Sequence, residues 1–259
     1  MKTHVWPHRA AHYLCQAACE TQGFLVPPPY LGNAFDPSRR RLLIGVGATL
    51  LLSASGMLGL ATGAMDPQRM RTTMTERYGH QGAQTLDAWL NLLRKLEGRD
   101  IADQLKGVND FFNRRVRWLD DSQIWDEEDY WATPLETLGR GAGDCEDYSI
   151  AKYQTLKKLG VPGERLRMIY VRARLGRSSI TQAHMVLGYY ATPGVEPLVL
   201  DNLLPTILPA GERDDLSPVF SFSSDGLWAG GSSESLAIPT QRLSRWRNVL
   251  LRMSAEGFL

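Results

Sequence analysis

Between Pro67 and Leu119, apolar residues return every three or four positions: Leu86, Leu90, Leu93 and Leu96, then Leu105, Val108, Phe111, Phe112 and Val116. That period predicts two amphipathic helices, parted at Gly98 and Asp100. The acidic and aromatic stretch DDSQIWDEEDYWATP reads as a loop closed by Pro134, with Trp125, Tyr130 and Trp131 as packing residues. A short helical piece over Leu135–Leu138 then runs into GRGAG. After Cys145 a helical period returns in Ile150, Tyr153, Leu156 and Leu159, and Gly160 with Pro162 stops the helix.

Beyond Pro162 the pattern changes to alternation. Leu166–Ala173 and Ala183–Tyr190 read as strands, and after a turn at Pro193–Gly194 the segment PLVLDN reads as a third. In the second strand Ala183, Met185, Leu187 and Tyr189 share one face, and His184 shares the other with Val186. Ser223–Ser235 is expected to be a loop, and Gln241–Met253 a helix with Leu243, Trp246, Val249, Leu250 and Met253 on one side. The order predicts an α+β domain, helices first and then an antiparallel sheet, with no internal repeat.

One run fits neither period. Leu42–Met65 carries no charge, follows Arg39, Arg40 and Arg41, and ends in small residues. These are the parts of a secretory signal. The roughly 19 residues from Leu42 to Leu60, at about 1.5 Å each, would also cross most of a bilayer, so an uncleaved anchor is the second reading. Either way the chain is expected to be exported. Residues 1–38 read as a disordered leader or a mis-assigned start, because LVPPPY breaks any helix; His4, His8, His12, Cys15 and Cys19 recur there at near-helical spacing that could hold a metal. The expected organisation is a leader over 1–38, a signal or anchor over 39–64 and a single domain over 65–259.

Composition adds one exclusion. The 259 residues are 43% hydrophobic and 22% charged, a globular balance, with a net charge of +1. Five basic residues lie before Leu42 against two acidic ones, which leaves the remainder slightly acidic. No basic field argues for a nucleic-acid partner.

The candidate chemistry is sparse. Cys145 is the only cysteine after the apolar run, and His80 and His184 are the only histidines there. A lone thiol in an oxidising compartment is either buried or kept for reactivity. A helix start favours a thiolate, but Asp144, Glu146 and Asp147 oppose it. Helix capping explains Asp144 and Asp147, though not the whole DCED run. A cation would neutralise the cluster, and calcium would prefer these oxygens to the sulfur. The residues alone leave Cys145 open as nucleophile, ligand or buried filler. Hairpin geometry brings Asp201 opposite or diagonal to His184, where a carboxylate would fix the imidazole tautomer and leave the other ring nitrogen for Cys145.

The blocks FFNRRV, IWDEEDYWATPLETLGRGAGDCEDYSIAKY, QAHMVLGYY and PLVLDNLLPTILP resemble the bacterial transglutaminase-like cysteine proteinases over about Arg69 to Gly230. The resemblance implies a papain/transglutaminase-like cysteine protease fold. It implies Cys145 as nucleophile, His184 as general base and then acid, and Asp201 as orienting carboxylate. It further implies Ca²⁺ beside the nucleophile, with Asp144, Glu146 and Asp147 as its ligands, and a periplasmic location. The implied substrate is a large repeat-containing surface adhesin, cut near its amino end at an Ala-Ala pair to release cells from a biofilm. The implied inhibitor is an inner-membrane cyclic di-GMP receptor. The long leader and the stretch RLGRSSITQ before His184 depart from the family pattern. A transglutaminase-type acyl transferase and a non-catalytic calcium-responsive binding module are the alternative readings of the same residues.

Overall fold

The computed structural model describes residues 65–176, 180–192, 194–229 and 235–259. The leader, its His/Cys face and the apolar run up to residue 64 lie outside the described residues, as does part of RLGRSSITQ. Among the described residues no helix is long and apolar enough to cross a membrane.

Helix α1 (Pro67–Leu96) starts on an Asp66 cap that accepts the Arg69 N–H, with Pro67 in the first turn, and it bends at Gly79, whose φ of 62° only glycine adopts easily. Helix α2 (Ile101–Arg115) starts on Asp100 in the same way. It stops four residues before the expected Leu119. Val116 turns extended, and β1 (Arg117–Trp118) pairs in parallel with β2 (Ala142–Gly143). The loop expected after it contains a one-turn helix, α3 (Asp121–Ile124). Helix α4 (Pro134–Arg140) is longer than its apolar pair suggested, because Thr133 and Glu136 form a capping box at its start and Gly141, at φ 61°, closes its end.

Helix α5 (Cys145–Lys158) is the central element, with ten of its residues buried from Asp147 to Leu156. Trp89 of α1 donates its indole N–H to Thr155 Oγ at 3.0 Å, which satisfies a buried donor and fixes the two helices. Against α5 lies a six-stranded antiparallel sheet in the order β6-β5-β4-β3-β7-β8. Its strands are β3 (Leu166–Arg174), β4 (Thr181–Tyr189), β5 (Leu198–Leu200), β6 (Leu208–Pro209), β7 (Leu216–Phe222) and β8 (Leu227–Ala229).

Three strands were expected in this sheet, and six are present among the described residues. The missed strand β7 contains Pro218, which cannot donate to a ladder, and a bulge shifts its register against β3 between Tyr170 and Val171. Strand β8 lies within the stretch expected to be a loop. The chain ends in a short helix, α6 (Pro239–Arg242), and α7 (Ser244–Ala255); extended Leu243 splits what the apolar face suggested was one helix.

The main core lies between helices and sheet, where Met168, Met185, Leu187, Leu200 and Phe222 meet Leu86, Trp89, Tyr153, Leu156 and Trp246. On the other side Ile169, Val171, Val186 and Val199 form a smaller apolar patch. Alternation therefore separates Met185 from Val186 as expected. Ala183 lies exposed at the strand's open end and takes no part in the apolar face.

Candidate active site

Cys145 is the first residue of α5, and two features hold it there. Parallel pairing of Trp118 with Gly143 anchors the preceding loop, and Asp144 caps the helix by accepting the Glu146 and Asp147 N–H groups at 3.2 and 3.4 Å. Gly143 is required by space, since a Cβ would sit 2.8 Å from Asp147 Cβ. One helical turn on, Ser149 Oγ donates to the Met185 carbonyl at 3.1 Å and ties α5 to β4. The thiol is in turn beside the Met185 backbone, the residue that follows His184.

The thiol donates to Glu146 Oε2 at 2.7 Å, and the other oxygen of Glu146 accepts the Tyr170 hydroxyl at 2.8 Å. Burial pushes the Cys145 thiol well above its usual range, and the negative charges of Glu146 and Asp144 push the same way; a Met185 backbone hydrogen bond opposes them. His184 is 2% exposed and its Nε2 lies 2.8 Å from Asp201 Oδ1. Pairing of Leu187 with Leu200, continued by one residue, sets Asp201 opposite Val186 and diagonal to His184, as hairpin geometry suggested. Burial alone would raise the Asp201 carboxyl. Hydrogen bonds from His184, the Leu203 N–H and Arg213, with the charge of His184, outweigh that and hold it well below the usual carboxylate range.

Three carboxylates gather behind the cysteine. Asp121, Asp144 and Asp147 each bring an oxygen within 4.8 Å of the others, and Asp144 and Glu146 form a second such group with Cys145. Asp121 spends one oxygen on the Tyr130 N–H and Asp147 one on the Ala132 N–H, both at 2.7 Å. The second oxygens, Asp121 Oδ1 and Asp147 Oδ2, are buried without a hydrogen-bond partner. Burial raises all three carboxyls, and nearby carboxylates, Glu146 in each case, push the same way; Asp121 is pushed up to about 7. Orphaned buried carboxylate oxygens in a crowd of like charge fit a hard cation that takes oxygen ligands. Of the three residues singled out in the sequence, Asp144 and Asp147 are thus brought together, while Glu146 groups with Asp144 and Cys145 and turns its oxygens to the thiol and the Tyr170 hydroxyl. Asp121 joins Asp144 and Asp147, and nothing in its spacing from DCED announced it. Trp131 packs in an aromatic stack with Phe222 at 5.6 Å and Tyr170 at 6.3 Å, in keeping with a packing role.

A family model described as bacterial transglutaminase-like cysteine proteinase matches residues 91–214. Among solved structures, Legionella pneumophila LapG in an EGTA-treated form is 36% identical, covers 74% of this chain and 99% of its own, and superposes with a TM-score of 0.64. The calcium-bound form of the same protein is 37% identical over 73% of this chain and 99% of its own, with a TM-score of 0.63. A search of curated proteins returns no match.

Proposed function

Because the chain belongs to the bacterial transglutaminase-like cysteine proteinases, we propose that it is a calcium-dependent endopeptidase in which Cys145, His184 and Asp201 form the catalytic triad. Carrying that reading is the buried His184–Asp201 hydrogen bond of 2.8 Å, on the strand to which the Cys145 helix is tied. Asp201 engages Nε2, which leaves Nδ1 as the ring nitrogen for the thiol proton. The thiolate attacks the scissile carbonyl, and the Cys145 backbone N–H at the helix start is suited to the developing oxyanion. Imidazolium then protonates the departing amine, and His184 activates a water that hydrolyses the thioester and restores the thiol.

Asp121, Asp144, Asp147 and Glu146 are the residues that would hold Ca²⁺, which would supply positive charge against their effect on the thiolate. The calcium-bound relative supports that ion over others. The proposed setting is the periplasm. There the substrate would be the amino-terminal region of a large repeat adhesin, cut at an Ala-Ala pair so that cells leave a biofilm, and an inner-membrane cyclic di-GMP receptor would act as the inhibitory partner.

The test is incubation of the full chain with the amino-terminal fragment of a repeat adhesin from the same organism, with Ca²⁺, and mapping of the products by mass spectrometry. A single cut at Ala-Ala, absent with Cys145→Ala, is expected. Persistent cutting by Cys145→Ala would overturn the triad, and an intact fragment would overturn the substrate. A labelled amine in the same reaction separates the chemistries, since acyl transfer would incorporate it.

A further inference from the structure

We infer that Arg213 is a positioning residue for the proposed triad, locking the Asp201 carboxylate in the one rotation that presents Oδ1 to His184. The inference rests on the triad reading above and adds a fourth and a fifth member to it. Asp201 is 1% exposed and every oxygen it carries is assigned. Oδ1 accepts from His184 Nε2 and from the Leu203 N–H at 3.0 Å, while Oδ2 accepts from Arg213 Nη2 at 2.8 Å. Its backbone carbonyl takes Asn113 Nδ2 at 2.8 Å and Lys152 Nζ at 3.1 Å.

The guanidinium is itself held. Arg213 is 3% exposed and forks onto Asp215, with Nε to Oδ1 at 2.9 Å and Nη2 to Oδ2 at 2.8 Å. Two rigid donors on opposite carboxylate oxygens, the Leu203 N–H and Arg213, leave no freedom about the Asp201 side-chain torsion. Without Arg213 the carboxylate keeps one anchor and can turn away from the imidazole.

Charge supports the same role. Asp201, Arg213 and Asp215 together carry one negative charge, so the chain from His184 to Asp215 becomes neutral when the imidazole is protonated. That protonated form is what Cys145 creates on giving up its proton. A buried Asp–Arg pair is weak evidence for stability by itself, since desolvation offsets the attraction. Its position against the imidazole partner gives it a use that stability does not.

The experiment is ¹⁵N NMR of the His184 ring in the full chain, with the signal assigned by its loss in His184→Gln. Wild-type protein is expected to show the Nε2–H tautomer alone. Arg213→Met should give a tautomer mixture, as should Asp201→Asn, and Arg213→Lys should restore most of the Nε2–H form. Asp215→Asn, which leaves Asp201 and its direct partners in place, should give a smaller shift the same way and decides the matter if Arg213→Met fails to fold. On the adhesin fragment the folded variants should lose kcat by about ten- to a hundredfold, the range for one hydrogen bond to a charged group, with KM little changed. An unchanged His184 tautomer in both Arg213→Met and Asp215→Asn, or in Asp215→Asn alone where Arg213→Met does not fold, would overturn the inference. The NMR result stands whether or not the fragment is cut, so a failed triad reading, seen as cleavage by Cys145→Ala, is told apart from a failed role for Arg213.

Discussion

The thiol proton of Cys145 points to Glu146, its neighbour in the chain, at 2.7 Å from Sγ to Oε2. The residue placed to attack a carbonyl thus gives its hydrogen bond to a carboxylate, which favours the thiol over the thiolate. Glu146→Gln keeps an acceptor there and removes the charge. In chelator, its Cys145 thiolate absorbance, taken as the difference from Cys145→Ser, should appear at lower pH than in wild type, and added Ca²⁺ should shift it little. An upward shift would show that Glu146 does not hold the thiol proton.

Asp121 should be a cation ligand. Ligands that bind the folded protein alone raise its melting temperature by mass action, so Ca²⁺ should raise Tm, and Asp121→Asn or Asp147→Asn should reduce that rise. The pH dependence has a definite sign. The Asp121 carboxyl is raised by burial to about 7 in the folded protein, from 3.8, so its contribution to stability is fully present below the unfolded value and is lost as pH rises to about 7. In chelator, the Tm of wild type relative to Asp121→Asn should fall across that window, and saturating Ca²⁺ should flatten the fall. Equal Ca²⁺ responses in wild type and both variants would remove these carboxylates from the site.

Lys152 stands two turns from Cys145 on the same helix, 1% exposed, with its ammonium on the Asp201 carbonyl. Burial lowers it from 10.5 to about 7, against the pull of Asp201. For a depressed lysine the penalty is greatest below the folded value and fades as pH rises towards the unfolded one. Lys152→Met should therefore gain stability relative to wild type at pH 6 and lose that advantage by about pH 10. Thermal melts at both pH values check this, and a constant difference between the two proteins would contradict it.

Much of this site was legible in residue order. Cys145 at a helix start and His184 on an alternating strand follow from periods of three to four and two, and Asp201 follows from the short span back from that strand. These are local properties. Asp121 and Arg213 were not legible because no apolar period marks either: the first opens the one-turn helix α3 and accepts the Tyr130 N–H, and the second follows the 3₁₀ turn at Ala210–Glu212. The strand carrying Pro218 was missed for a different reason, since a proline and a bulge erase the alternation that marks a strand. Helix ends erred where capping outweighed apolar spacing, at Thr133 and Glu136, and where Leu243 turned extended.

The most direct test of the central claim, a nucleophilic Cys145 restrained by its own carboxylates until a cation binds them, is its carbamidomethylation rate by iodoacetamide near neutral pH. The rate is read on the Cys145 peptide by mass spectrometry, in Ca²⁺ and in chelator. Ca²⁺ should speed the reaction by roughly tenfold or more, the effect of one unit in thiol pKa, and Asp144→Asn should abolish the difference. Equal rates in Ca²⁺ and chelator would contradict the account.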